Sequence, residues 1–226
     1  MMLSGKAYKA HWGLIFAALF FSSCTTAKVA DPSGFLQDYS ALKDGTYFKQ
    51  ELIAPGIDFS RYKAVKVAPV NLSYLDGKTS CDTAELENLG TEFREDIEAQ
   101  LKAKGFVLTS SPGENVLVIS LALTNIEPPD ALTNAGLTAV SIMTPFPASV
   151  FDKDGMTSFE GRITDGATGK ELIEFAEERS GAGGKISVKT LTVGKYQKFT
   201  NTEAVFTVWS QTIAKMLTAL TQKSSS

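Results

Sequence analysis

The run Asn115-Val116-Leu117-Val118-Ile119-Ser120-Leu121-Ala122-Leu123 constrains the fold more than any other stretch of the chain. A strand turns successive side chains to opposite faces of its sheet. Both alternating faces of this run are apolar or small, so the run predicts a central strand covered on both sides. Candidate neighbours lie on either side of it. Ala64 to Leu72 reads as a strand with Val65 and Val67 on one face, and Pro69, which has no N–H for the ladder, suggests an edge or a bulge. Asp82-Thr83-Ala84-Glu85 has the pattern of a capping box. Leu86, Leu89, Phe93, Ile97 and Leu101 then recur at helical spacing until Gly105 stops the helix. The opposite face carries Glu85, Glu87, Glu92, Arg94, Glu95, Glu98 and Lys102, as a helix lying on a sheet requires.

Phe106-Val107-Leu108 follows as a short strand. Ser158 to Asp165 and Lys170 to Arg179 flank the turn Gly166-Ala167-Thr168-Gly169 and read as a hairpin. Asn201 is placed to cap a last helix with a stripe of Phe206, Trp209, Ile213, Met216 and Leu220. Tyr47 to Tyr62 reads as a loop-rich lead-in. The order strand, helix, strand, strand, hairpin, helix predicts an α+β fold. The expected architecture is a two-layer sandwich, a mostly antiparallel sheet with two main helices packed on it, in a single domain over residues 34–223. With 226 residues, 43% hydrophobic and 21% charged, the chain has enough apolar material for one such core.

The N-terminus has a different logic. Met1 to Trp12 carries Lys6 and Lys9 and no acid, Gly13 to Phe21 is apolar or small, and Ser22-Ser23-Cys24 ends the run. A basic head, a short apolar centre and small residues make a secretory signal. About nine apolar residues give roughly 14 Å of helix, too little for a ~30 Å hydrocarbon core. Small residues just before a cysteine resemble the lipobox of bacterial lipoproteins, with Phe21 where Leu, Val or Ile is usual. That resemblance implies a signal peptide over residues 1–23, cleavage before Cys24, and its acylation by palmitate-like chains. Residues 24–33 then form a flexible tether. Two or three acyl chains make attachment long-lived where one holds only reversibly. Thr25 rather than Asp follows the cysteine, which in the enteric sorting rule favours the outer membrane. Cys81 is left without an intramolecular partner and reads as a semi-buried structural thiol near a helix start, or as half of a mixed disulfide with a partner.

The only histidine is His11, ahead of the expected cleavage site. The mature chain therefore lacks the Ser-His-Asp and Cys-His arrangements and any histidine-based zinc site, and no metal or cofactor is expected. The formal charge of −3 gives no basic footprint for nucleic acid. Gly181-Ala182-Gly183-Gly184-Lys185 fails as a phosphate loop, because Arg179 stands at the earlier glycine position and Ile186 follows the lysine. It reads as a hinge. Lys185, Lys189, Lys195 and Lys198 form a stretch without acids that reads as a solvated loop or a contact to anionic lipid or glycan.

Two groups of residues remain as candidate interaction surfaces. Ala131 to Phe151 contains no charged residue before Asp152, and its Leu137, Val140, Ile142 and Phe146 belong either to a buried helix and loop or to an exposed apolar patch. Glu160, Asp165 and Glu174, with Arg162 nearby, sit on the hairpin. There they read as cross-strand surface charges, as an acidic patch for a partner, or as a carboxylate pair for acid–base work.

Ser33-Gly34-Phe35-Leu36-Gln37-Asp38-Tyr39-Ser40-Ala41-Leu42, Pro55-Gly56-Ile57-Asp58 and Tyr62-Lys63-Ala64-Val65 resemble a family of bacterial lipoproteins called domain of unknown function 3313. Phe159 to Gly169 and the Trp209 helix are similar to it as well. The element order is also similar to that of small envelope lipoproteins that activate peptidoglycan synthases or support secretion, an analogy of fold alone. The expected function is a non-enzymatic lipoprotein, held by Cys24 on the periplasmic face of the outer membrane. There it acts as an interaction or accessory factor of the cell envelope, with an envelope protein as partner. The alternative is a periplasmic binding module for a small apolar or glycan ligand. An enzyme working through carboxylates comes third.

Overall fold

A computed structural model describes residues 32–75, 79, 81–126, 156–180 and 200–223. The strands are β1 (Lys43–Asp44), β2 (Gln50–Ile53), β3 (Ala64–Val67), β4 (Val107–Leu108), β5 (Val116–Ile126), β6 (Met156–Asp165) and β7 (Glu171–Ser180). They form one sheet in the order β1-β2-β7-β6-β5-β3-β4. The helices are α1 (Thr83–Ala103) and α2 (Thr200–Lys223).

The class is α+β, as expected, and the sheet is mixed. β1, β2, β7, β6 and β5 pair antiparallel in turn, whereas β3 runs parallel to both β5 and β4. The parallel half follows from α1, which carries the chain from β3 over the sheet to β4 as a crossover helix. β3 is shorter than its apolar pattern because Pro69 interrupts the ladder. Ala68 still donates to the Ile119 carbonyl at 2.9 Å, and pairing resumes at Asn71, whose N–H reaches the Leu121 carbonyl at 2.8 Å. Pro69 thus lies past the end of β3, in the break between Ala68 and the Asn71 bridge to Ala122 and beyond Ala64 and Val65, the two residues that β4 pairs. The loop-rich lead-in contains β1 and β2. β2 lies along β7 with Glu51 opposite Phe175.

α1 begins as its sequence requires. The Asp82 carboxylate accepts from the Glu85 N–H at 2.8 Å, and Glu85 accepts from the Asp82 N–H at 3.1 Å. It ends at Gly105, whose φ of +88° an L side chain rarely adopts. Leu89, Phe93, Ile97 and Leu101 are buried against the sheet. The expected stripe of α2 packs beside them, with Phe206, Trp209, Ile213 and Met216 buried. Asn201 lies within the first turn of α2 rather than ahead of it.

The core on the helical side is aromatic along its length. Phe48 stacks on Phe175 with centroids 4.4 Å apart, and Phe93 stacks on Phe206 at the same separation. Phe159 connects the two pairs by edge contacts to Phe48, Phe175 and Phe93 and lies 4.2 Å from Trp209. The opposite sheet face has its own small cluster of Phe35, Leu36, Leu42, Ala122 and Ala176, with Tyr39, Leu52 and Tyr74 against it. β5 is therefore covered on both faces, and its second cover is the N-terminal segment.

Candidate functional site

The sheet face away from the helices carries carboxylates where a buried face ordinarily carries apolar side chains. Their positions follow from strand alternation. On β6, Phe159, Gly161 and Ile163 turn to the helices, so Glu160 and Arg162 turn to the other side. On β7, Glu174 lies opposite Arg162, and Ala176 lies opposite Glu160. Glu160 retains 2% and Glu174 3% of full exposure. A buried carboxylate is costly unless donors satisfy it.

The donors come from the N-terminal segment, Ser33 to Leu42. Glu160 accepts from the Ser33 N–H at 3.1 Å, from the Ser33 hydroxyl at 2.7 Å and from the Tyr39 hydroxyl at 2.5 Å. The Tyr39 oxygen in turn accepts from the Gly34 N–H at 2.8 Å and the Leu36 N–H at 3.2 Å, which bends the segment around the ring. Burial and the bond to Glu160 push the Tyr39 phenol up, so it remains the donor. Glu174 accepts from the Gln37 N–H at 2.8 Å, and Glu171 from the Gln37 amide at 3.4 Å. Burial raises Glu171, with Glu174 adding to the effect and Arg162 opposing it. Arg162 sits 3.5 Å from Glu171 and 4.9 Å from the centre of the Phe35 ring, so its charge is shared between an acid and a π face.

Asp165 is a separate site. It keeps 4% of full exposure at the end of β6, where its carboxylate closes the hairpin turn. It accepts from the Ala167 N–H at 3.1 Å and from the Thr168 N–H and hydroxyl at 2.9 Å each. Tyr62 donates its hydroxyl at 2.8 Å, and Arg61, from the 3-10 turn Phe59–Arg61, completes the set as an ion pair. Burial pushes this carboxyl up, but the bonds from Tyr62, Thr168 and Ala167 outweigh it and hold it well below the usual carboxylate range.

Of the residues singled out in the sequence, Glu160, Glu174 and Arg162 come together, and Asp165 does not join them. Glu160 and Asp165 are both buried with intrachain donors on their oxygens, rather than standing as solvated charges on a hairpin face. Leu137, Val140, Ile142 and Phe146 lie outside the described residues, as do Cys24 and the segments around Gly181 and Lys185. Cys81 is half-buried and packs against the helical-side core. Among the described residues no three His, Cys, Asp or Glu side chains converge as a metal site, and no helix is long and apolar enough to cross a membrane. Sequence reasoning missed Ser33, Gln37 and Tyr39 as partners of the acids, and Arg61 and Tyr62 as partners of Asp165. No local signal pointed to them, because Glu160 and Glu174 alternate with Phe159, Ile163, Ile173 and Phe175 in the pattern of strands with one solvated face, and only the fold brings the donors that cover them.

The fold and the site together define an α+β domain of one seven-stranded mixed sheet and two helices, with its own N-terminal segment bound to carboxylates of the sheet. The chain belongs to the family described as "Protein of unknown function (DUF3313)", whose profile matches residues 31–213. No curated protein matches it. Among solved structures it is similar to a PelC dodecamer from Paraburkholderia phytofirmans, with 11% identity and a TM-score of 0.40 over 74% of this chain and 96% of that one. A hypothetical protein from Chlamydia trachomatis matches with 13% identity and a TM-score of 0.35, over 70% and 94% of the two chains. A minor lipoprotein from Acinetobacter baumannii matches with 11% identity and a TM-score of 0.31, over 70% and 92%.

Proposed function

We propose that this chain is a non-enzymatic lipoprotein of the bacterial envelope, cleaved before Cys24, acylated there, and held on the periplasmic face of the outer membrane as an accessory or interaction factor. The reading includes the two-layer arrangement of helices on one sheet face. The observation that carries it is the use made of the carboxylates. Acid–base catalysis by a carboxylate pair needs one member with a raised pKa in a cleft open to substrate. Here Glu160 and Glu174 spend their oxygens on the backbone of Ser33 and Gln37, nine and thirteen residues after the lipobox cysteine. The buried acids hold down the segment that joins the domain to its anchor, which is the task a tethered protein has to solve.

The anchor is tested by expressing the wild type and Cys24→Ala with a radioactive fatty acid. The wild type is expected to be processed, labelled and recovered with outer membranes. Cys24→Ala is expected to accumulate as unlabelled precursor. Label on the Cys24→Ala protein would sink the anchor.

A further inference from the structure

Ser33 is pinned at the middle of β6 by its N–H and its hydroxyl together, and Pro32 beside it is exposed. The chain therefore enters the domain through the centre of a sheet face. From Cys24 to Pro32 there are eight peptide steps, a reach of at most about 26–29 Å. If the segment were free as far as Leu42, there would be eighteen steps and a reach of about 60–65 Å. A folded domain of this length is about 40 Å across. Turning its helical side to a membrane would require the leash to run round the domain, about 50 Å on that diameter. The long leash permits that rotation and the short one forbids it.

We propose that the sheet face bearing Ser33–Leu42 is the surface turned toward a lipid bilayer, and that docking of this segment on Glu160, Glu174 and Glu171 enforces the orientation. α1 and α2 then point away from the membrane. The inference deepens the lipoprotein reading and rests on acylation of Cys24. The docked segment has the bonding of a latch that opens without unfolding the domain. Its apolar contacts form a cluster apart from the aromatic core, and its polar contacts are made to side chains rather than to a strand ladder.

The experiment uses the full acylated chain in vesicles of phosphatidylethanolamine and phosphatidylglycerol containing an acceptor-labelled headgroup. In a Cys81→Ser background, a donor fluorophore is placed by Lys66→Cys on the covered sheet face or by Gln211→Cys on the outer side of α2. Energy transfer from the Lys66 site is expected to exceed that from the Gln211 site at least twofold. Glu160→Ala is expected to abolish the difference, together with faster hydrogen exchange at the Gly34, Leu36 and Gln37 amides. Tyr39→Phe is the milder second variant should Glu160→Ala fail to fold. Equal transfer from the two sites in the acylated wild type overturns the orientation. A difference that survives release of the amides overturns the role of the docked segment. Mass spectrometry of the same preparation separates the parent reading, because an unacylated Cys24 sinks both claims while an acylated one with equal transfer sinks only this one.

Discussion

Asp165 has the most demanding environment of any single residue described. Its four hydrogen bonds and the Arg61 pair favour the charged form against the pull of burial. Asp165→Asn keeps the shape but turns an amide toward donors, so it is expected to cost about 1.5–3 kcal/mol at pH 7, the range for hydrogen bonds to a charged group. Because the folded carboxyl titrates below its unfolded value of about 3.9, the stability it contributes is fully present above that value. It is lost as pH falls through the folded value. Urea unfolding at pH 7 and pH 3 is expected to show the gap between wild type and Asp165→Asn narrowing at the lower pH; an unchanged gap would refute the ionic account. The partners of these acids could not be read along the chain. Ser33 and Glu160 are 127 residues apart, and Gln37 and Glu174 are 137 apart. Periodicity and capping patterns span a few turns at most and carry no information at that separation.

Elements differ in how local their causes are. α1 was legible from its capping box to Gly105, since both ends are built from residues within a turn of each other. β1 and β2 were not, because Lys43-Asp44 and Gln50-Glu51-Leu52-Ile53 show no strand pattern; β2 becomes a strand only where β7 offers its edge, and β1 only where β2 then offers its own. Gly161 shows the same dependence on a neighbour. A Cβ built there would run into the Phe175 ring and approach Leu121 at 2.8 Å, so the position is glycine to let that ring lie over β6. Gly161→Ala is expected to destabilise by about 1–3 kcal/mol through overpacking, despite the better strand propensity of alanine. A thermal scan of Gly161→Ala that shows a gain in stability would mean the ring has room to move.

At the scale of the molecule, the sheet has two covers of unequal weight. The helical side contains the connected aromatic core, whereas the other side contains a small cluster under ten residues of irregular chain. Trp209→Ala is expected to cost about 3–5 kcal/mol and to lower the stability of the whole domain. Phe35→Ala is expected to cost less, because the segment above the sheet can settle into the space, and to act locally. Hydrogen exchange distinguishes them: Phe35→Ala should speed the amides of Gly34, Leu36 and Gln37 while those of β5 and β6 stay slow. Equal acceleration throughout would mean that the two covers unfold as one.

The sequence by itself determined which stretches are helix and hairpin, that β5 is buried on both faces, and that the N-terminus has the pattern of a lipobox. Each of these is set by side chains near one another along the chain, through alternation, helical spacing and capping. Only the tertiary structure decided what covers the second face of β5, that β3 runs parallel in a mixed sheet, and that Glu160, Glu174 and Asp165 are internal acceptors. Those outcomes depend on contacts between distant parts of the chain, and the burial of the acids is resolved only once segments over a hundred residues apart have met.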